Sequence, residues 1–382
     1  MMAFEGVKFK CNAPSVHSFT HSHTLILLTC GILFSSPFLG IHKMDSVPFA
    51  FCEHLCDILS IKELFEVKQL PRSYGDLAGF AHQNRFAYLA DNKEQGPLNA
   101  FMLPIRGGIR LKTTEEMEAV PRKFVRLVAL SLWRAEDVKL SRETVQRFPY
   151  AIHRFWLQSA AISEAWVDFA CSLKRLGSIC TSQNLRSLQR LVDARKLSEL
   201  DINENACDDD NIGVLKAVLC QDQFQRLKIF TNPKGSWNTN VVRELLHFWT
   251  ENHEKLRGKN LILVDNCSSE VHQLQEFVLY RSKKILTWSF AEFQTALTQC
   301  TEEECEYIGK YYRHRAVLFY KPSCVYKFEE GEGGKRRRLY ISFECADEEE
   351  RRTVKRNLPA SHEGCNDLRY MHRTIFCRVL FG

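Results

Sequence analysis

What this chain lacks narrows its function before anything it contains. No CxxC pair occurs among its 15 cysteines. Their spacing is irregular: Cys52 and Cys56, then Cys171, Cys180, Cys207, Cys220 and Cys267 onward. That argues against a zinc ribbon, a thioredoxin-like site and a compact disulfide framework. A Gly-x-Ser-x-Gly elbow, a phosphate loop and a dinucleotide fingerprint are all missing; Gly107-Gly108 is two glycines in a loop, not a phosphate cradle. Positive charge is in slight excess, +6 over 382 residues. The one tight basic run is Lys335-Arg336-Arg337-Arg338. Nucleic-acid binders concentrate basic charge on one face or element, so no nucleic-acid partner is expected. No catalytic constellation can be assembled, and neither cofactor nor metal is expected.

What is present is a globular core. Apolar residues make up 45% of the chain, enough to exclude wholesale disorder. The length suits two or three ordinary domains or one extended repeat. Many cysteines lie among apolar neighbours, as in Phe169-Ala170-Cys171 and Phe343-Glu344-Cys345, where a free thiol packs as a small hydrophobe. This fits a reducing compartment, cytoplasmic or nuclear. Residues 1–43 read as a leader. Within them, residues 24–41 (TLILLTCGILFSSPFLGI) are 18 uncharged residues, and three readings are open. They form a signal peptide with its apolar core at 25–34 and small residues at Ser35 and Ser36. Or they form a short membrane anchor, weakened by Pro37. Or they precede a second initiation site at Met44. Only a retained segment would bring in a membrane; the signal-peptide and anchor readings would make the protein secreted or membrane-anchored instead.

The rest of the chain divides by pattern. Residues 45–90 read as a helical unit. Phe51, Leu55, Ile58 and Leu59 recur at helical spacing, and a second segment at 61–70 carries Leu64, Phe65 and Val67 until Pro71 stops it. Residues 91–123 are polar and broken by Gly96-Pro97, Pro104 and Gly107-Gly108, which predicts a linker. Residues 124–285 alternate strands with helices. Strands are expected at 124–133, 154–159, 178–181, 197–202, 225–230 and 261–264. Helices are expected at 141–148, 163–176, 184–195, 210–219, 240–254 and 271–279. The helix at 240–254 is the clearest, with Val241, Val242, Leu245, Leu246 and Trp249 on one face and Asn240 or Thr239 able to cap it.

Strand spacings of roughly 20 to 35 residues suit a stacked repeat, in which neighbouring units supply the core that no single unit can build. The fold expected is α/β: an irregular strand–helix repeat, a leucine-rich-repeat-like solenoid, with an N-terminal helical cap and a closure containing a C-terminal β-hairpin. Leu197, Leu200 and Ile202 follow an LxxLxI pattern, without an asparagine at a fixed offset. An ordinary open α/β sheet is the alternative. Residues 286–382 form the closure. It has helices at 289–299 and 301–312, hairpin arms at 324–330 and 337–345 around 331–334, a charged helix or loop at 347–355, and a last strand at 374–381.

Each candidate for chemistry has a plainer explanation. Cys52 and Cys56 share a helix face, but His54 points elsewhere, so packing explains them better than metal binding. His17, His21 and His23 precede the apolar leader and carry no assignment. Lys335 to Arg338 faces Glu329, Glu330 and Glu332 on the other hairpin arm, which predicts cross-strand charge pairs rather than a localisation signal or a phosphate site. Asp208-Asp209-Asp210 lacks the alternating ligands of a calcium loop and fits a helix N-terminus.

Met44-Asp45-Ser46-Val47-Pro48-Phe49-Ala50-Phe51-Cys52-Glu53 resembles the opening of a nematode family of F-box-like and F-box-associated proteins. Val325-Tyr326-Lys327-Phe328-Glu329-Glu330-Gly331 and Arg338-Leu339-Tyr340-Ile341-Ser342-Phe343 are similar to the family's ending, so the resemblance spans residues 44–382. It implies a helical module that docks on the Skp-type adaptor of a cullin–RING ubiquitin ligase, with Pro48, Leu55, Leu59, Leu64 and Val67 as docking residues. Val47-Pro48 stands where the module has Leu-Pro. Its later tryptophan is missing, leaving Tyr74 or Phe80 to substitute. The expected function is therefore a non-enzymatic protein-interaction module, a substrate-recruiting ligase subunit. A recognition scaffold with no ligase link, in which residues 45–90 only cap the array, and a secreted or tethered binding protein directed by residues 24–41 remain open.

Overall fold

The computed structural model describes residues 48–382 except 60, 71–72, 93–97, 106, 134–137, 159–161, 183–184, 208, 232–239, 283–289, 313, 332–335 and 355–356. The leader at 1–43 and the Val47 half of the Val47-Pro48 pair lie outside the described residues. The chain divides into two units, Met1–Arg85 and Phe86–Gly382.

Among its described residues the first unit holds three helices: α1 (Phe49–Ile58), α2 (Ile61–Val67) and α3 (Ser73–Gln83). Pro48 precedes the first turn of α1, where its missing N–H costs nothing. Cys56, Leu59, Leu64 and Ala78 form the unit's core, with Leu55, Val67, Leu77 and Ala81 packed around it. Arg85 donates to the Cys56 carbonyl at 2.7 Å, satisfying one of the acceptors left open at the end of α1. Gly75 opens α3 because a Cβ there would lie 2.0 Å from the Leu70 carbonyl oxygen.

The second unit is built on one twelve-stranded sheet. Its first strands are β1 (Phe86–Asn92) and β2 (Asn99–Pro104), followed by helix α4 (Thr114–Ala119) and strand β3 (Val125–Leu132). Strands and helices then alternate: α5 (Val138–Arg147), β4 (Ile152–Leu157), α6 (Glu164–Ser172), β5 (Leu176–Thr181), α7 (Gln189–Asp193), β6 (Glu199–Asn203), α8 (Asp209–Leu219), β7 (Arg226–Phe230), α9 (Val241–Leu256), β8 (Asn260–Val264) and α10 (Ser268–Arg281). The remainder runs α11 (Phe290–Ala296), β9 (Thr298–Gln299), α12 (Glu302–Tyr311), β10 (Leu318–Phe319), β11 (Tyr326–Glu330), β12 (Arg337–Phe343), α13 (Glu348–Thr353), β13 (Leu358–Pro359) and β14 (Phe376–Phe381).

Strand order across the sheet is β2-β1-β3-β4-β5-β6-β7-β8-β14-β12-β11-β9. From β1 to β8, leaving aside the edge strand β2, seven parallel strands lie side by side in chain order. Helices α5 to α11 pack on one another in the same order. One apolar row crosses ten strands in register: Ala90, Leu130, Phe155, Ile179, Leu200, Leu227, Leu261, Val379, Ile341 and Tyr326. These side chains share one core with Trp166 and Val167 of α6, Leu215 of α8, Leu245 and Trp249 of α9 and Leu274 of α10. The period of two along each strand therefore sends one face to the helices and the other away from them. Ser163 caps α6 by accepting from the Trp166 N–H at 3.2 Å. Asn240 precedes α9, but its side chain makes no capping bond.

Two boundaries differ from the sequence reading. The helical unit ends at Arg85, not at residue 90, because Phe86–Asn92 is a buried strand that follows α3 after two residues. The expected linker at 91–123 holds strand β2 and helix α4. Pro104 hid the former, and proline is tolerated there because β2 is an edge strand. Thr113 and Glu116 close α4 with a reciprocal capping box. The expected last strand is present as β14, and it lies inside the sheet. β14 fits between β8 and β12, antiparallel to both, and joins the parallel array to the hairpin.

Candidate functional site

The sequence-predicted docking residues do not form a surface. Leu64 and Leu59 are buried, and Leu55 and Val67 pack around them, so four of the five serve the unit's own core. Pro48 is exposed. The exposed large apolar side chains of this unit are Phe49, Phe51, Phe65 and Phe80, all about half exposed or more. Phe65 carries the Lys68 ammonium 4.1 Å from its ring centroid and packs on His82. Phe80, one of the two stand-ins for the missing tryptophan, is exposed, and Tyr74 is half-buried. Cys52 and Cys56 are both buried while His54 is exposed, so these three side chains do not converge. Among the described residues, no group of three or more His, Cys, Asp or Glu side chains could hold a metal ion.

The hairpin's basic run is taken up by its neighbours. Glu329 pairs with Arg336 at 3.1 Å and Arg338 at 3.2 Å, and Glu330 with Arg337 at 3.3 Å and Arg281 at 2.6 Å. The pairs Glu329–Arg338 and Glu330–Arg337 are directly opposite in the β11–β12 ladder. Lys335 and Glu332 lie outside the described residues, as does Asp208. Asp209 and Asp210 open α8, where Asp210 pairs with Arg186 at 3.1 Å.

A charged surface that the sequence reading did not single out lies on the sheet face turned away from the helices. Arg154 stands opposite Ser178, Ser178 opposite Glu199, Glu199 opposite Arg226, and Arg226 opposite Asn260, one row across β4 to β8. The next row on this face is Trp156, Cys180, Asp201, Lys228 and Ile262. Glu199 pairs with Arg154 at 3.5 Å and accepts a short bond from Arg226. Burial opposes the Arg226 charge, but Glu199 and Asp201 outweigh it and raise its pKa above the ordinary arginine value. Burial and the neighbouring Asp201 push the Cys180 thiol up to about 12, so it stays protonated and is no nucleophile at neutral pH.

Arg378 of β14 completes the cluster and is 1% exposed. Its Nε donates to Asn260 Oδ1 at 2.8 Å, and its Nη1 donates to the His314 carbonyl at 2.9 Å and touches the His314 ring nitrogen. None of these partners is a carboxylate. Burial, and then the nearby Arg226 charge, lower its pKa to about 9. On the Arg378 side the same sheet face is covered by a second apolar cluster that joins Ile262, Tyr340 and Leu380 to Cys305 and Ile308 of α12 and to Phe319. That cluster contains no residue of β4 to β7, where Trp156, Cys180, Asp201, Arg226 and Lys228 keep partial exposure. A signal for this face was available in sequence. Glu199-Leu200-Asp201-Ile202 and Arg226-Leu227-Lys228-Ile229 alternate polar with apolar, unlike a parallel strand buried on both faces.

The chain matches no protein-family model, no characterised protein and no solved structure. Among the described residues no helix is long and apolar enough to cross a membrane.

Proposed function

We propose that this protein is a non-enzymatic recognition module whose strand–helix array binds a target protein, and that it recruits that target to a cullin–RING ubiquitin ligase through its N-terminal helical unit. The observation that carries the reading is strand order. Seven parallel strands follow one another in chain order, with consecutive helices stacked in the same sequence. This connectivity supports the reading of the array as a leucine-rich-repeat-like solenoid, in which strands line a surface open to a partner. A doubly wound sheet would instead reverse its strand order at a switch point and build a ligand crevice there. The polar, partly exposed face over β4 to β7 supports the same reading.

The ligase link rests on the resemblance of residues 44–382 to F-box-like proteins and on a compact three-helix unit ahead of the array. The adaptor-facing groups are the exposed apolar side chains Pro48, Phe49, Phe51 and Phe65, since Leu59 and Leu64 are consumed by the core. That consumption favours a second reading, a recognition scaffold with no ligase link. Capture of a Skp-type adaptor by the full chain decides between them. Binding that is lost in Phe51→Asp supports the ligase reading, and a folded chain that captures no adaptor supports the scaffold.

A further inference from the structure

Over β4 to β8 and β14 the described cations outnumber the carboxylates beside them. Arg154 and Arg226 pair with Glu199, Asp201 also acts on Arg226, and Lys228 has Asp265 close enough to influence it, while Arg378 bonds to Asn260 and His314. On these strands one positive charge is left over; Asp91, further along the same face on β1, accepts from the Trp133 indole N–H. The guanidinium groups are also incompletely bonded: Nε of Arg154, Nε of Arg226 and Nη2 of Arg378 are buried with no hydrogen-bond partner among the described residues. An uncompensated buried cation is costly, and a carboxylate that supplies both charge and acceptors removes that cost.

The cluster reaches solvent through Arg226, whose side chain is 23% exposed, and Arg154, at 10%. Apolar groups flank it on the same face. Trp156 lies in the neighbouring row on β4 and Phe230 at the end of β7, the latter with the Lys228 ammonium 4.3 Å from its ring centroid. A surface that carries a local excess of positive charge between aromatic flanks is complementary to an extended peptide carrying an acidic side chain.

We propose that the β4–β7 face binds an acidic peptide segment of the target protein, with a carboxylate of that segment received by Arg226 and supported from behind by Arg378. This rests on the reading of the array as a recognition surface. It does not depend on the adaptor.

The test is fluorescence anisotropy of the full chain with a labelled twelve-residue peptide of alternating glutamate and serine, beside its glutamine counterpart. The glutamate peptide binds and the glutamine peptide does not. Removing one partner of a desolvated charge pair weakens such binding about tenfold or more, so Arg226→Gln shows that loss. Arg226→Lys, which keeps the charge, retains part of the affinity, and Arg352→Gln, on an exposed side chain of α13, leaves it unchanged. Equal binding of the two peptides overturns the proposal, as does unchanged affinity in Arg226→Gln. If Arg226→Gln does not fold, the comparison of the two peptides on the wild-type chain and on Arg226→Lys still decides. Thermal-shift measurements with acetate and inorganic phosphate against chloride, at one ionic strength, form the other arm. Stabilisation by these ions without binding of the glutamate peptide indicates a free-anion site and overturns the peptide assignment. A chain that binds the glutamate peptide but captures no adaptor refutes the ligase link alone.

Discussion

Glu270 offers a quantitative check on the packing beneath the array. It lies in the first turn of α10 and is fully buried, and apart from its own backbone N–H its carboxylate finds no hydrogen-bond partner among the described residues. Burial, with the nearby Glu204 charge adding to it, raises its pKa from 4.5 to about 7. The folded chain thus holds this proton to higher pH than the unfolded chain. Below pH 4.5 both states are protonated and the group is neutral to stability. As pH rises towards 7 the unfolded state is increasingly favoured by ionisation, and above 7 the loss is complete. The displacement corresponds to roughly 3 kcal/mol. Glu270→Gln removes the titration. Its buried amide adds an offset, but that offset does not vary with pH. Urea denaturation of both proteins between pH 4.5 and 8 therefore shows the variant gaining roughly 2–3 kcal/mol relative to wild type across that range. Taking the difference cancels every other group that titrates alike in both chains. Parallel stability profiles would show that Glu270 is solvated or paired, and would refute the reasoning.

His153 works in the opposite direction. Burial, helped by the Arg175 charge, lowers its pKa from 6.5 to about 4, so stability falls as pH drops from 6.5 towards 4. His153→Gln flattens that limb of the profile by roughly 2–3 kcal/mol, read by the same denaturation series. Leu64→Ala empties the centre of the helical unit and costs about 2–5 kcal/mol there. Hydrogen exchange then accelerates across residues 49–83 and stays unchanged across 125–264, whereas uniform acceleration would contradict the two-unit division. Gly364→Ala places a Cβ 2.1 Å from the Ser323 carbonyl oxygen, so the backbone must shift. The 361–365 loop bridges to Ser323 and Cys324, so a loss of about 1–3 kcal/mol follows in thermal melts, and a neutral result would contradict that packing.

Much of the array could be read from periodicity, and the reasons for the misses are physical. Leu261-Ile262-Leu263-Val264 reads as a buried strand because both of its faces are covered, the helix side by the main core and the other side by the cluster around α12. Val241, Val242, Leu245, Leu246 and Trp249 read as a helix face because all five are buried on one side of α9. Phe86–Asn92 was absorbed into the preceding helical unit because only two residues separate it from α3, and no turn signal marks the change of period. The position of β14 was not legible. Its apolar run says strand, but its insertion between β8, more than a hundred residues away, and β12 is decided by antiparallel register. The place of Arg378 in the charged cluster is illegible for the same reason. Arg378 and Asn260 are 118 residues apart in sequence, and only the register of β7, β8 and β14 brings them into one cluster with Arg226. Leu59 and Leu64, the expected docking residues, fall in the core of the helical unit for a different reason. An apolar pattern on a short helical unit reports what that unit needs for its own core before it reports a partner.

The recruiting role turns on one measurement: co-purification of the full chain, wild type and Phe51→Asp, with a Skp-type adaptor, each chain shown to be folded by circular dichroism. Phe51 is 52% exposed, so the substitution changes the surface of α1 and leaves the core of Leu59 and Leu64 intact. The account predicts stable capture by the wild-type chain and its loss in Phe51→Asp. A folded wild-type chain that captures no adaptor, or capture that Phe51→Asp leaves untouched, contradicts it.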